Sequence, residues 1–163
     1  MNKWPKPGEI IAFYGNPSGP NASASSQWIK DNIVLVKSPW RLVTSWDGMQ
    51  VKGVSVHQKC GLSLRRVFDR IWLDAKQNQK TIEAWGMHLF GGGFNYRVVR
   101  GGSSLSMHAY GCAVDFDPAR NGLGDSTPNF ANVPEVLKAF ADEGWTWGGS
   151  WARPDGMHWQ AAK

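Results

Sequence analysis

The sequence predicts an α+β fold in which a central antiparallel sheet is flanked by helices. Short runs of β-branched and apolar residues are interspersed with two amphipathic helical patterns. The length of 163 residues and the apolar share of 42% are typical of one globular domain. We therefore expect a single domain over residues 1–163, with a loop-rich N-terminal segment at residues 1–30.

The strands are predicted from short runs that end at glycine, proline or polar turn residues. A glycine run at residues 91–93 is interpreted as a turn between two of them. Strands are expected at residues 10–14, 33–36, 41–44, 51–56, 81–85, 96–99 and 113–117.

Two helices are predicted from apolar residues spaced three and four positions apart. The first is expected to begin at Ser63 as its N-cap and to end within residues 77–80. The second is expected to begin at Pro134, run to about Glu143 and stop at Gly144. Their buried stripes are Leu64, Val67, Phe68, Ile71 and Ala75 in the first, and Val136, Leu137 and Phe140 in the second.

The composition narrows the classes of partner. The net charge of +5 is consistent with attraction to a polyanion and equally with a role in solubility alone, because the Lys and Arg residues are scattered and form no nucleic-acid arm. No apolar run approaches the roughly 18 residues that a membrane span needs. The two cysteines, Cys60 and Cys112, are too few for a disulfide scaffold, so we expect free, buried thiols.

Two histidines and two carboxylates stand out because of their spacing. His108 precedes Asp115 in one segment, and Asp155 precedes His158 in another. A catalytic zinc site uses three protein ligands and keeps one open position, so these four residues suffice for three ligands and one base. Asp117 faces the same side of its predicted strand as Asp115, and alternation alone leaves both as candidate ligands.

Other polar and aromatic residues have simpler interpretations. His57 and His88 lack a carboxylate at ligand spacing and are expected to serve in packing or at the surface. Ser106 is expected to form a structural hydrogen bond, because no nucleophile elbow surrounds it. Most of the ten tryptophans should pack in the core, with Trp151 as the expected exception.

The motifs around these four residues resemble the M15 metallopeptidases. The matching words are Ser-x-His-x6-Asp from Ser106 to Asp115, His-Ala-Tyr-Gly-x-Ala-x-Asp, a preceding Arg-Gly-Gly, and an acidic residue three positions before a second His in a closing Met-His-Trp. The resemblance is specific over residues 81–160, which it marks as the catalytic half. It implies a fold like that of Hedgehog and the D,D-peptidases.

The resemblance also implies roles for individual residues. It implies one zinc ion per chain held by His108, Asp115 and His158, with Asp155 as the catalytic base. The family often has Glu at this last position, and the shorter side chain is similar to that of the endolysin subgroup. An Arg upstream of the first His stabilises the carbonyl oxygen in the family. Arg97 is the match, and Arg100 is the alternative.

The function implied by the resemblance is hydrolysis of the peptide stems of bacterial peptidoglycan. Within the family we favour an L-alanyl-D-glutamate endopeptidase of the endolysin type over a D,D-carboxypeptidase or dipeptidase. A non-catalytic zinc-binding module of this fold and a metal-dependent nuclease are the other classes considered.

We expect the stem peptide as the partner, no nucleic acid, no stable membrane insertion, and a monomer. The first residues lack the apolar stretch of a signal peptide. We therefore expect synthesis in the cytoplasm and action on the cell wall in the periplasm, from a phage or a bacterial gene.

Overall fold

Six strands form one mixed sheet in the computed structural model, which describes residues 3–163. They are β1 Ile33–Thr44, β2 Gln50–His57, β3 Leu89–Gly92, β4 Ala113–Phe116, β5 Thr146–Trp147 and β6 His158–Gln160. Their order across the sheet is β2-β1-β3-β4-β6-β5. The α+β class is confirmed. The expected antiparallel sheet is confirmed in part, because the other strand pairs are antiparallel but β1 and β3 pair in parallel.

Five α-helices surround the sheet within the described residues. The expected helix over residues 134–143 is confirmed as α5, and Gly144 follows it with a φ of 80°. No helix among residues 3–163 is long and apolar enough to cross a membrane. The helices are α1 Ile10–Tyr14, α2 Ser26–Asn32, α3 Gln58–Asp74, α4 Gln79–Trp85 and α5 Pro134–Asp142.

The predicted strands at residues 10–14 and 81–85 are wrong, because these segments are helices α1 and α4. A run of five residues with apolar members fits one face of a short helix as well as a strand. Helix α4 is stabilised by its N-cap, because Asn78 Oδ1 accepts hydrogen bonds from the backbone N–H groups of Lys80 and Thr81. Gly86, with a φ of 87°, ends this helix.

Helix α3 begins five residues before the expected Ser63 and ends at Asp74, before residues 77–80. The N-cap is His57, whose Nδ1 accepts from the backbone N–H of Lys59. Ser63 instead lies inside the helix, donates to Glu143 at 2.8 Å and accepts from Trp145 Nε1 at 3.0 Å. Its hydroxyl therefore ties α3 to the C-terminal part of the chain rather than capping the helix.

The segments beside the predicted site are shorter than expected. Residues 96–99 form no strand, and only an isolated bridge joins Val98 to Leu105. Two residues of the predicted glycine turn, Gly91 and Gly92, belong to β3. Strand β4 ends at Phe116, because Asp117 takes a left-handed φ of 46°.

The core is one cluster of apolar side chains between the sheet and the helices. Trp159 of β6 is fully buried in it, stacked on Phe140 of α5 at 4.6 Å and edge-on to Phe130 at 4.7 Å between ring centroids. The two cysteines are free and buried, as predicted. These contacts fix β6, and therefore its neighbours in the chain, against α5.

Two leucines of α3 provide a matched test of this packing. Leu64 is fully buried in the core, whereas Leu62 is 76% exposed. We predict that Leu64→Ala lowers the free energy of unfolding by about 2–5 kcal/mol, because it removes buried methyl groups and leaves a cavity. Leu62→Ala should change it by less than about 0.5 kcal/mol. Urea denaturation of both variants measures the difference, and equal losses would contradict the described helix face.

Candidate active site

The pairing of β4 with β6 brings two of the predicted site residues together. Asp115 pairs with His158 across the antiparallel ladder, and Val114 pairs with Trp159. Side chains alternate between the two faces of a strand, so burying Val114 and Trp159 in the core directs Asp115 and His158 to the opposite face. Nδ1 of His158 lies 3.0 Å from Oδ1 of Asp115.

His108 reaches the same point from a short 3₁₀ turn, Met107–Tyr110. The hydroxyl of Ser106 caps the turn by accepting from the backbone N–H of His108, so its predicted structural role is confirmed. Gly111 ends the turn with a φ of 67°, and a Cβ there would lie 2.7 Å from the backbone nitrogen of His57. Glycine therefore allows the turn to pack against β2 and place His108 beside Asp115.

The three side chains form a compact group that could bind a metal ion. One ligand atom from each of His108, Asp115 and His158 lies within 4.8 Å of the others. Nε2 of His108 is 3.2 Å from Oδ2 of Asp115, and the two imidazole centroids are 5.1 Å apart. Both histidines are buried.

The outer nitrogen of each imidazole has a partner that determines which ring atom faces inward. Nδ1 of His108 donates to the carbonyl oxygen of Gly93 at 2.8 Å. Nε2 of His158 lies 3.1 Å from Oε1 of Gln160. When its outer nitrogen carries the proton, a neutral ring can offer the lone pair of its inner nitrogen to a metal ion. Ordered outer partners of this kind are typical of metal-binding histidines.

The electrostatics of the group match this geometry. Burial acts to raise the pKa of Asp115, but contacts with His108 and His158 outweigh it and hold that pKa well below its usual value. Nε2 of His108 is buried and forms no hydrogen bond within residues 3–163. Two imidazoles and one carboxylate grouped this closely are a donor set that fits a divalent metal ion.

Asp155 lies beside this group and carries a free carboxylate oxygen. Its backbone N–H donates to the carbonyl of Gly148 at 2.9 Å, and its carbonyl accepts from the N–H of His158 at 3.1 Å. Oδ1 of Asp155 is buried and has no hydrogen-bond partner among the described residues. Burial, reinforced by the charge of Asp115, raises the pKa of Asp155 against the opposing charges of His158 and Arg97.

The other acidic and histidine residues considered as candidates lie outside the metal-binding group. Asp117 is buried beyond the end of β4, where its Oδ2 accepts from Nε of Arg120 at 2.6 Å. It is not part of the metal-binding group. His57 is buried with both ring nitrogens hydrogen-bonded to backbone groups, in keeping with a packing role. His88 is also outside the group.

A cleft of about 780 Å³ opens over the site. Arg97 and Arg100 line it from one loop, and Trp151 and Arg153 from another. Trp151 is 38% exposed and its ring lies 5.4 Å from that of His158, whereas Trp145 and Trp159 are buried. Trp151 therefore differs from the core tryptophans as expected, but Trp46, which is 64% exposed, is a second exception that the sequence did not indicate.

Comparison with known proteins bears on the same part of the chain. Residues 100–161 match the sequence model of the D-alanyl-D-alanine carboxypeptidase family of M15 peptidases. This match supports the M15 family. The matched segment contains His108, Asp115, Asp155 and His158. No curated protein and no solved structure matches the chain.

Sequence reasoning missed two residues of the site. Gln160 lies two positions after His158 on β6, so it shares the face of His158 and reaches its ring. The alternation of side chains along a strand would have placed Gln160 beside His158, but residues 158–160 were not predicted to form a strand. Arg153 gave no signal beyond its closeness to Asp155 in the chain.

The role of Gln160 can be tested through metal affinity. We predict that Gln160→Leu weakens zinc binding by about 10- to 100-fold, because the His158 ring loses the acceptor that fixes its orientation. Competition with a chromogenic chelator measures the dissociation constant without any activity assay. Gln50→Leu, at an exposed position of β2, is the matched control and should bind zinc like the unmodified protein. Equal affinity of the two variants would contradict the assigned orientation.

Proposed function

We propose that this protein is a zinc-dependent endopeptidase that cuts the L-alanyl-D-glutamate bond of peptidoglycan stem peptides. The observation that carries the proposal is the group of His108, Asp115 and His158 with the unpartnered carboxylate oxygen of Asp155 in the same cleft. The family match over residues 100–161 supports a peptidase and suggests peptidoglycan as its substrate.

Zinc suits the three proposed ligands, since two imidazole nitrogens and one carboxylate oxygen leave one coordination position for catalysis. A zinc ion held there would supply Lewis acidity to a water molecule and to the carbonyl group of the scissile bond. The protein contributes the orientation of the ligands, through Gly93 for His108 and Gln160 for His158.

Asp155 is the proposed general base. Its buried Oδ1 accepts a proton from the attacking water and passes this proton to the nitrogen of the departing amine. The raised pKa of the Asp155 carboxyl lies closer to neutral pH. This favours both the uptake of the proton from water and its release to the amine. The hydrogen bond from Asp155 N–H to Gly148 holds the carboxylate beside the ligands.

Arg97 is the proposed partner of the substrate carbonyl oxygen as negative charge develops on it. Its guanidinium lies close enough to Asp155 to lower the pKa of that carboxyl. Its backbone carbonyl accepts from the N–H of Ser106 at 3.0 Å, which ties the Arg97 segment to the turn that carries His108. Arg100 is not among the charges that shift the pKa of Asp155.

Endopeptidase activity is proposed over carboxypeptidase activity from the form of the cleft. The loop of residues 97–102 lines it together with Trp151, Arg153 and the metal-binding group. This gives room for substrate residues on both sides of the cut bond. We further propose that the protein is made in the cytoplasm, acts on the wall in the periplasm and is a monomer of the endolysin type.

The base can be tested separately from the metal. We predict that Asp155→Asn retains about one zinc per chain and loses peptidoglycan hydrolysis by a factor of about 10² to 10⁴, because proton transfer is lost while the ligands remain. Asp142→Asn, at an exposed position of α5, is the control and should remain fully active. Undiminished hydrolysis by Asp155→Asn would remove Asp155 from the mechanism.

The two arginines of one loop can be told apart by kinetics. We predict that Arg97→Gln lowers kcat by about 10² to 10³, the usual loss when a stabilising group for the carbonyl oxygen is removed. Arg100→Gln should lower kcat by less than about tenfold. Steady-state kinetics on a synthetic stem peptide compare the two, and the reverse order would assign the role to Arg100.

The bond that is cut is identified by mass spectrometry of fragments released from purified peptidoglycan. Endopeptidase activity predicts new amino ends on D-glutamate and stem fragments that lack L-alanine. Release of single D-alanine residues would indicate the carboxypeptidase instead. A zinc-loaded protein that releases no fragment would indicate a non-catalytic zinc-binding module.

A further inference from the structure

The arginines that line the cleft differ from most of the others in what they bind. Arg65, Arg66, Arg70 and Arg120 each form an ion pair with a carboxylate. Within residues 3–163, Arg100 and Arg153 form neither a side-chain hydrogen bond nor an ion pair, and Arg97 reaches only the backbone carbonyl of Val98 at 3.4 Å. The cleft therefore presents guanidinium groups whose donors are free to bind a ligand.

Among the charged groups that line the cleft, positive ones predominate. The carboxylate of Asp115 is paired with His108 and His158. Only Asp155 then opposes the three guanidinium groups that line the same cleft. Such an arrangement favours a ligand that carries a negative charge, because planar guanidinium groups bind carboxylates through two parallel hydrogen bonds.

Arg153 has a particular place among the three. It lies two residues before Asp155 in one segment, which follows the half-exposed ring of Trp151. Asp155 is the group that delivers a proton to the departing amine in the proposed mechanism. Because Arg153 and Asp155 belong to one short segment and line the same cleft, a substrate residue whose amine reaches Asp155 would bind near Arg153.

We propose that Arg153 binds a free carboxylate on the substrate residue whose amine departs, and so determines specificity for an acidic residue there. The inference rests on the proposed function and deepens it. A D-glutamate joined to the next residue through its γ-carboxyl keeps its α-carboxylate on the carbon next to the cut nitrogen. Arg153, two residues from Asp155 and in the same cleft, is the group of this segment that would bind that carboxylate.

The test compares two synthetic stem peptides that differ only in this group. One carries the free α-carboxylate of D-glutamate, and the other carries the α-amide in its place. The zinc-loaded protein should cleave the carboxylate peptide with a kcat/KM about tenfold higher, mainly through a lower KM, as expected for a charged hydrogen bond at a partly exposed site. Arg153→Gln should remove this preference by slowing only the carboxylate peptide.

Three further variants separate a specific contact from a general effect of charge. Arg153→Lys should retain part of the preference, because a single ammonium group replaces a bidentate donor. Arg100→Gln removes the same charge from the same cleft and should retain the preference. Arg41→Gln, on β1 and outside the cleft, should match the unmodified protein for both peptides.

The outcomes distinguish the inference from the function on which it rests. Cleavage of both peptides at equal rates by the unmodified protein, or a preference that survives Arg153→Gln, would overturn the role of Arg153 and leave the endopeptidase intact. Loss of the preference in Arg100→Gln alone would also overturn it. Cleavage of neither peptide at the L-alanyl-D-glutamate bond would overturn the proposed function itself.

Discussion

Two imidazoles and a carboxylate converge on one buried point, and the proposed chemistry depends on a cation bound between them. The outer nitrogens of His108 and His158 lie against Gly93 and Gln160, which leaves the inner nitrogens facing Asp115. Two imidazole nitrogens and a carboxylate oxygen are ligands that a divalent ion prefers. Such an ion would bind all three residues at once, including Nε2 of His108, which has no hydrogen bond within the described residues.

The same strands that carry the ligands also anchor the core. Trp159 follows His158 on β6 and packs between Phe130 and Phe140, while Val114 precedes Asp115 on β4 and packs on the same side. A slip of one residue in the β4–β6 register would expose Trp159 and bury His158 among apolar side chains. Core packing therefore holds the geometry of the candidate metal site.

The three proposed ligands and Asp155 were predictable from sequence, because each lies in a motif with a fixed spacing. The surrounding elements were harder to predict. Residues 10–14 and 81–85 form helices rather than strands, since a short apolar run carries no period that separates the two. Asp117 could not be separated from Asp115 by alternation, because its left-handed backbone ends the strand and turns its carboxylate towards Arg120. Arg153 and Gln160 depend on tertiary neighbours and gave little local signal.

The central claim is that His108, Asp115 and His158 hold one zinc ion through the atoms that face one another. A crystal structure of the zinc-loaded protein, with anomalous data at the zinc absorption edge, tests it most directly. The account predicts one strong peak roughly 2.0–2.2 Å from Nε2 of His108, from a carboxylate oxygen of Asp115 and from Nδ1 of His158. A peak bound by other side chains, or no peak at this position in zinc-saturated crystals, would contradict it.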